Sequence, residues 1–177
     1  MTHVETAIRP PIEWSAEDGT RLAIRNVQAG DAAILMSFVR GLSFGARYFR
    51  FGHGDMEFST EDMLRVCTPD PNECEHLLIL KITDKSPVVI ASGRIVFPRA
   101  GTSCEVALAV TDKWQKRGIG ASLLNALFGL ARDRGLREMH GRILASNRRM
   151  IKFMREHGFK IADSDEGPAV KIASISL

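Results

Sequence analysis

Residues 103–135, "SCEVALAVTDKWQKRGIGASLLNALFGLARDRG", join an alternating apolar strand, a basic glycine-bearing turn and a long amphipathic helix in direct succession. The alternation over 103–110 predicts a strand with Cys104, Val106, Leu108 and Val110 on one face. Glu105, Ala107 and Ala109 take the other. Behind the turn, Ile119, Leu123, Leu127 and Leu130 recur at helical spacing over 118–134, so one face of that helix packs on a sheet. Gly135 and Leu136 then have the form of a helix C-cap with its apolar contact.

The rest of the chain supplies more strands and helices around this unit. "RLAIRNVQ" (21–28) reads as a strand, and "AGDAAILMSFVRGLS" as a helix with Asp31 near its start and Gly41 near its end. "STEDMLRVC" follows as a short helix capped by Ser59 or Thr60. Strands are predicted at 76–83, 88–97 and 103–110, separated by turn material at 84–87 and 98–101, which makes an antiparallel meander. After the helix at 118–134 come a strand near 138–145, a helix near 147–157, and strands at 159–163 and 169–175. The expectation is one α+β domain over residues 20–177, with residues 1–19 as a loose, proline-interrupted arm.

Bulk properties exclude several classes. A chain of 177 residues can bury a core without staples. A net charge of +3 is too small to argue for nucleic acid. The three cysteines, Cys67, Cys74 and Cys104, form no CxxC pair, which suits free thiols in a reducing cytoplasm. No apolar run reaches membrane-spanning length, and "MTHVETAIRPPIEW" lacks the apolar block of a signal peptide. The histidines (3, 53, 76, 140 and 157) show no ligand spacing, so no metal is expected. Nothing fixes the oligomeric state.

The turn carries the chemistry. A helix start exposes unpaired N–H groups and a partial positive charge. Gly118 and Gly120 let the backbone approach an anion there, and Lys116 and Arg117 add full charges. An ordinary tight turn would account for the glycines equally well. Neither GxxxxGK[ST] nor a dinucleotide GxGxxG fingerprint is present.

"QKRGIG" (115–120) after an apolar strand resembles the acetyl-CoA pyrophosphate signature Q/R-x-x-G-x-G/A of the GNAT N-acetyltransferases. "ASNRRMIKFMREHGF" (145–159) resembles the second landmark of that family, an Asn followed by an aromatic and a closing Gly-Phe. The element order also matches. The resemblance implies a GNAT fold: a mixed, mostly antiparallel sheet, about four flanking helices, and a splay between the fourth and fifth strands. It further implies acetyl-CoA as co-substrate. The pantetheine arm would lie along Ala107, Leu108, Ala109 and Val110, and Gln115 and Lys116 would open the phosphate turn. The pyrophosphate would rest on the N–H groups of Arg117, Gly118, Ile119, Gly120 and Ala121. Asn147 would contact the pantetheine or hold the strands apart, although its position also suits a helix N-cap.

Amine acylation needs a neutral nucleophile. A lysine amine with a pKa of about 10.4 is neutral in only about one molecule in a few thousand at pH 7, so a base is required. The developing oxyanion can be met by strand N–H groups. Glu105, beside two small residues, is the candidate base; solvent exposure or pairing with Arg94 is the plain alternative. "CEVAL" resembles the "AEFAV" strand that carries a catalytic glutamate in bacterial Pat-type protein-lysine acetyltransferases. "LSFGARYFRFG" (42–52) resembles a second Pat-type segment, aligning Ser43, Tyr48, Arg50 and Phe51 as a loop that walls the acceptor site. Ala46 stands where a second serine is common. Met154 occupies the position at which many GNAT enzymes place a proton-donating tyrosine, a departure from the pattern. The resemblance thus implies an acetyl-CoA-dependent N-acetyltransferase acting on a primary amine, a protein lysine in the first instance. The alternatives are a small-molecule amine as acceptor and a non-catalytic acyl-CoA sensor on the same fold.

Overall fold

The computed structural model describes residues 10–52, 54–55, 57–98 and 100–177. Eight strands form one sheet: β1 (Ile12–Ser15), β2 (Arg21–Asn26), β3 (Cys74–Lys81), β4 (Val88–Val96), β5 (Ser103–Val110), β6 (Glu138–Leu144), β7 (Lys160–Asp163) and β8 (Val170–Ser176). Their order is β1-β2-β3-β4-β5-β6-β8-β7, antiparallel throughout except for the parallel pair β5 and β6. Among the described residues the five α-helices are α1 (Ala32–Gly41), α2 (Phe44–Phe51), α3 (Thr60–Cys67), α4 (Ile119–Asp133) and α5 (Arg148–Glu156). None of the described helices is long and apolar enough to cross a membrane.

Two expectations need correction. Residues 12–15, assigned to a loose arm, pair with β2 in full register from Ile12–Ile24 to Ser15–Arg21; residues 1–9 of that arm lie outside the described residues. Its proline pair ends at Pro11, and the next four residues find an open sheet edge to bond to. Residues 44–51, expected as a loop, are the helix α2, which raises the helix count from about four to five. Ser43 caps α2 by accepting a hydrogen bond from the Ala46 N–H at 3.3 Å. Gly52, at φ 81°, closes it.

The sheet buries both faces. On one, Cys104, Val106 and Leu108 join Leu123, Leu124 and Leu127 of α4 in the larger core. α4 comes close because β4 offers Gly93 beneath it. A Cβ there would lie 2.9 Å from Leu123 Cδ2 and 3.0 Å from Leu127 Cδ1. On the other face, Leu78, Leu80 and Val89 meet Leu35, Phe38 and Val39 of α1 and Met63 and Cys67 of α3. Burial of each such side chain contributes about 2 kcal/mol.

The second face also carries a polar row. Register aligns His76, Arg94 and Ala107 across β3, β4 and β5, and beside them Cys74, Val96 and Glu105. His76 Nε2 lies 2.8 Å from Ser92 Oγ, and Nδ1 lies 3.4 Å from the Val66 carbonyl. Burial pushes the His76 pKa down to about 4; the bond to Val66 opposes this, and the Arg94 and Arg50 charges add to it. Asp31, before α1, takes both guanidinium nitrogens of Arg25 at 2.7 and 2.8 Å and the Gln28 N–H at 2.7 Å. Burial works against the Asp31 carboxylate, but these bonds hold its pKa below the usual value.

Candidate functional site

The parallel ladder between β5 and β6 has three rungs, Ser103–Glu138, Cys104–Met139 and Glu105–His140, and then stops. From there the β6-facing edge of residues 107–110 has no strand partner. Antiparallel pairing with β4 continues to Ala91–Val110, so the strand stays straight while its outer edge is open. This is the splay expected between the fourth and fifth predicted strands. The gap is a groove of about 310 Å³ floored by residues 105–108 of β5 and 141–144 of β6. Gly141 lets β6 approach: a Cβ there would sit 3.2 Å from the Val106 carbonyl oxygen.

Glu105 stands at the closed end of that groove, exposed, on the same face as Ala107 and Ala109. It pairs in register with Val96, while Arg94 faces Ala107, so the alternative pairing of Glu105 with Arg94 is not formed. Among the described residues no hydrogen bond or ion pair holds the carboxylate. Of the four small or apolar positions expected to carry an extended ligand, Ala107 and Leu108 line the groove. Ala109 packs against the α1–α3 core and Val110 against the α4 core.

The turn after β5 is shaped by its own contacts. Gln115 Nε2 donates to the Val110 carbonyl at 3.0 Å, and its Oε1 accepts from Arg149 of α5. Lys116 adopts φ 60°, a left-handed conformation costing about 1–2 kcal/mol for a non-glycine residue. Arg117 stacks on Trp114 at 4.2 Å and pairs with Asp18, which it holds well below the usual carboxylate range. Gly118, at φ 77°, is the N-cap of α4 and has no side chain to offer its first turn. Ser43, Ser59 and Asn147 do cap their helices with side-chain oxygens. The first N–H groups of α4, on Ile119, Gly120 and Ala121, are therefore left to an external acceptor. Gly120 has a packing role as well, since a Cβ there would rest 3.4 Å from the Phe153 ring.

Asn147 is the helix N-cap, and it also lies on the groove. Its Oδ1 accepts from the Met150 N–H at 3.1 Å, capping α5, and the residue lines the groove. Met154 is buried and also lines the groove, so a thioether stands where a tyrosine hydroxyl is common. His157 ends α5, with Nδ1 2.8 Å from the Phe153 carbonyl and its ring 4.2 Å from the Phe153 ring. Among the described residues no group of three His, Cys, Asp or Glu side chains is placed to hold a metal.

α2 forms the remaining wall, through residues 49–52. Arg50 and Phe51 are there; Tyr48 and Ser43 are not among the lining residues. Tyr48 is 40% exposed and packs its ring 5.8 Å from that of Phe49, which takes the place expected of Tyr48. Ser43 ties α2 to the 3-10 turn Asp112–Trp114: its N–H and Oγ each lie 3.3 Å from Asp112 carboxylate oxygens. It is a cap and a tether. Sequence reasoning missed Asp18, Arg149, Gly141 and Phe49. Only Phe49 carried a signal, as the middle ring of "YFRF".

The comparisons agree with this geometry. Residues 45–159 match the Acetyltransferase (GNAT) family. The chain is 27% identical over 145 residues to the acetyltransferase PA5475 of Pseudomonas aeruginosa, covering 82% of this chain and 78% of that one. It is 32% identical over 120 residues to the acetyltransferase Pat of Mycolicibacterium smegmatis, a match to 60% of this chain but only 36% of Pat's length. Among solved structures, the GNAT domain of S. lividans PAT superposes with a TM-score of 0.82 at 26% identity, covering 94% of this chain and 97% of that one. PaiA N-acetyltransferase from Thermoplasma acidophilum, in complex with coenzyme A, shares the fold at a TM-score of 0.67 and 17% identity, over 88% and 99% of the two chains. The described architecture and the family match together place this chain in the GNAT acetyltransferase family.

Proposed function

We propose that the chain is an acetyl-CoA-dependent N-acetyltransferase whose acceptor is the side-chain amine of a protein lysine, with Glu105 as general base. The observation that carries this reading is the placement of Glu105: an exposed carboxylate, without an ion pair among the described residues, at the closed end of the splay groove. The open edge of β5 suits an extended chain bearing amides, and the uncapped start of α4 suits its phosphates. When bound, the thioester supplies an activated acyl carbon. The residues of this chain do the rest. β5 aligns the acyl end with Glu105, and Glu105 removes the proton that keeps the amine from attacking. Buried Met154 gives the groove an apolar lining beside Gly141 of β6. A released thiolate takes its proton from solvent, since the chain's single tyrosine, Tyr48, does not line the groove.

Protein lysine is favoured over a free amine by the likeness to two proteins named Pat, one in sequence and one in structure. The test is coenzyme A release measured against lysine-containing peptides, polyamines, amino acids and aminoglycosides, with products read by mass spectrometry. Turnover on peptides well above every free amine is expected. Efficient acetylation of a free amine with none on peptides overturns the acceptor, and no release with any amine overturns the enzyme.

A further inference from the structure

From Ala32 to Gly54 the chain contains no acidic residue, yet this segment builds the α2 wall beside Glu105. Arg50, half-buried on that wall, lines the groove, and Arg94 lies nearby across the polar row. Neither guanidinium has an ion pair among the described residues. Arg50 has only the Phe51 ring, 5.1 Å away, and the through-space field of Glu105. One turn back on α2, Arg47 Nε is shielded from water and makes no hydrogen bond. Burial and the Arg94 charge together pull the Arg50 pKa down to about 10, and Glu105 only partly offsets them.

A cation kept half-buried without a carboxylate partner costs stability. The fold could have avoided that cost with a neutral side chain or a neighbouring acid. Arginine is also the side chain whose planar fork matches a carboxylate with two hydrogen bonds. Of the two arginines that line the groove, Arg142 is paired with Glu166, whereas Arg50 has no ion pair among the described residues. A carboxylate carried beside the acceptor amine would give Arg50 the partner it lacks.

We infer that Arg50 is an acceptor-recognition residue that selects lysines flanked by an aspartate or glutamate, pairing with that carboxylate while the lysine amine reaches Glu105. This rests on the protein-lysine reading above.

The test uses the full chain, acetyl-CoA and three short synthetic peptides. Each has a single acceptor lysine, and they differ only in whether its neighbours are Glu, Gln or Arg. The expected order of kcat/KM is Glu above Gln above Arg, with at least about tenfold between first and last, the scale of one charge-assisted pair. Arg50→Gln should remove the difference between the Glu and Gln peptides, Arg50→Glu should reverse the order, and Arg50→Lys should keep it. Circular dichroism confirms folding of each variant, and the Lys and Gln forms carry the test if the charge reversal does not fold. Equal rates on all three peptides overturn the inference while leaving the protein-lysine reading intact. Turnover of spermidine alone, with no peptide accepted, overturns both. A parallel assay with succinyl-CoA separates the other source of a carboxylate. If Arg50→Gln abolishes a preference for succinyl-CoA and leaves the peptide order unchanged, Arg50 reads the acyl donor and the inference falls.

Discussion

Glu105 and His140 are the last paired residues of the parallel ladder between β5 and β6, and the groove opens immediately beyond them. The backbone of Glu105 is therefore fixed by pairing to β4 and to β6, while its side chain stands where the sheet gives way to open space. A catalytic group needs this combination: a rigid mounting and an unengaged functional end.

Replacing Glu105 by Gln keeps the shape and removes the carboxylate proposed as the base. Turnover should fall by roughly 10²–10⁴, the usual worth of general base catalysis, with affinity for acetyl-CoA retained. Part of the loss should return at high pH, where more of the acceptor amine is already neutral. A variant matching the parent across the whole pH–rate profile would show that Glu105 is not the base.

Gly118, at the start of α4, and Gly129, in its interior, should respond with opposite signs. At both positions an added Cβ would meet no chain atom within 4 Å, so crowding by the protein is irrelevant. Gly118 sits at φ 77°, where an alanine costs about 1–2 kcal/mol and turns the first N–H groups of the helix away. Gly118→Ala should weaken acetyl-CoA binding about tenfold by calorimetry. Gly129→Ala should raise stability by about 0.5–1 kcal/mol and leave binding unchanged.

His76 makes the fold acid-sensitive. Its pKa falls from an ordinary 6.5 to about 4 on folding, so between those values the unfolded chain binds a proton that the native state refuses. Stability should drop by about 1 kcal/mol for each pH unit of acidification over that window, with no contribution above it. The Asp31 carboxylate, whose pKa is lowered below its ordinary 3.8, adds stability that is lost only at still lower pH. Urea unfolding of the parent and of His76→Gln between pH 4 and 7 checks this; an equally steep slope in the variant would assign the effect elsewhere.

Gly93→Ala tests the seat of α4. With Leu123 and Leu127 only 2.9 and 3.0 Å from the new methyl, the helix must shift or the leucines must leave their rotamers. A loss of about 1–3 kcal/mol in urea unfolding is expected.

Much of this was legible from the chain. The strand–turn–helix unit at 103–135 carries its own periodicity and its closing glycine, so its position needed no tertiary information. Asn147 could be placed because a capping side chain and a groove residue occupy the same spot. α2 was read as a loop because "SFGARYFRF" has a glycine near its start and few strong helix formers. What makes it helical is the Ser43 cap, the tether to Asp112 and the packing of Phe51 on Phe58, with ring centres 5.0 Å apart. β1 was missed for a related reason: four residues form a strand only when a neighbour's edge is open to them. Asp18 and Arg117 are 99 positions apart in sequence, and no local pattern announces such a pair.

The interrupted ladder divides the sheet into two blocks, β1–β5 and β6–β8, hinged on three rungs and bridged by helices. Under the proposed function, an extended ligand would hydrogen-bond along the open edge of β5, where the rungs are missing. Mass action then sets its effect: a ligand at a hundred times its Kd adds about 2.7 kcal/mol to the folded state. Amide protection along the open edge of β5 should then rise with ligand concentration, a change that hydrogen exchange would read residue by residue.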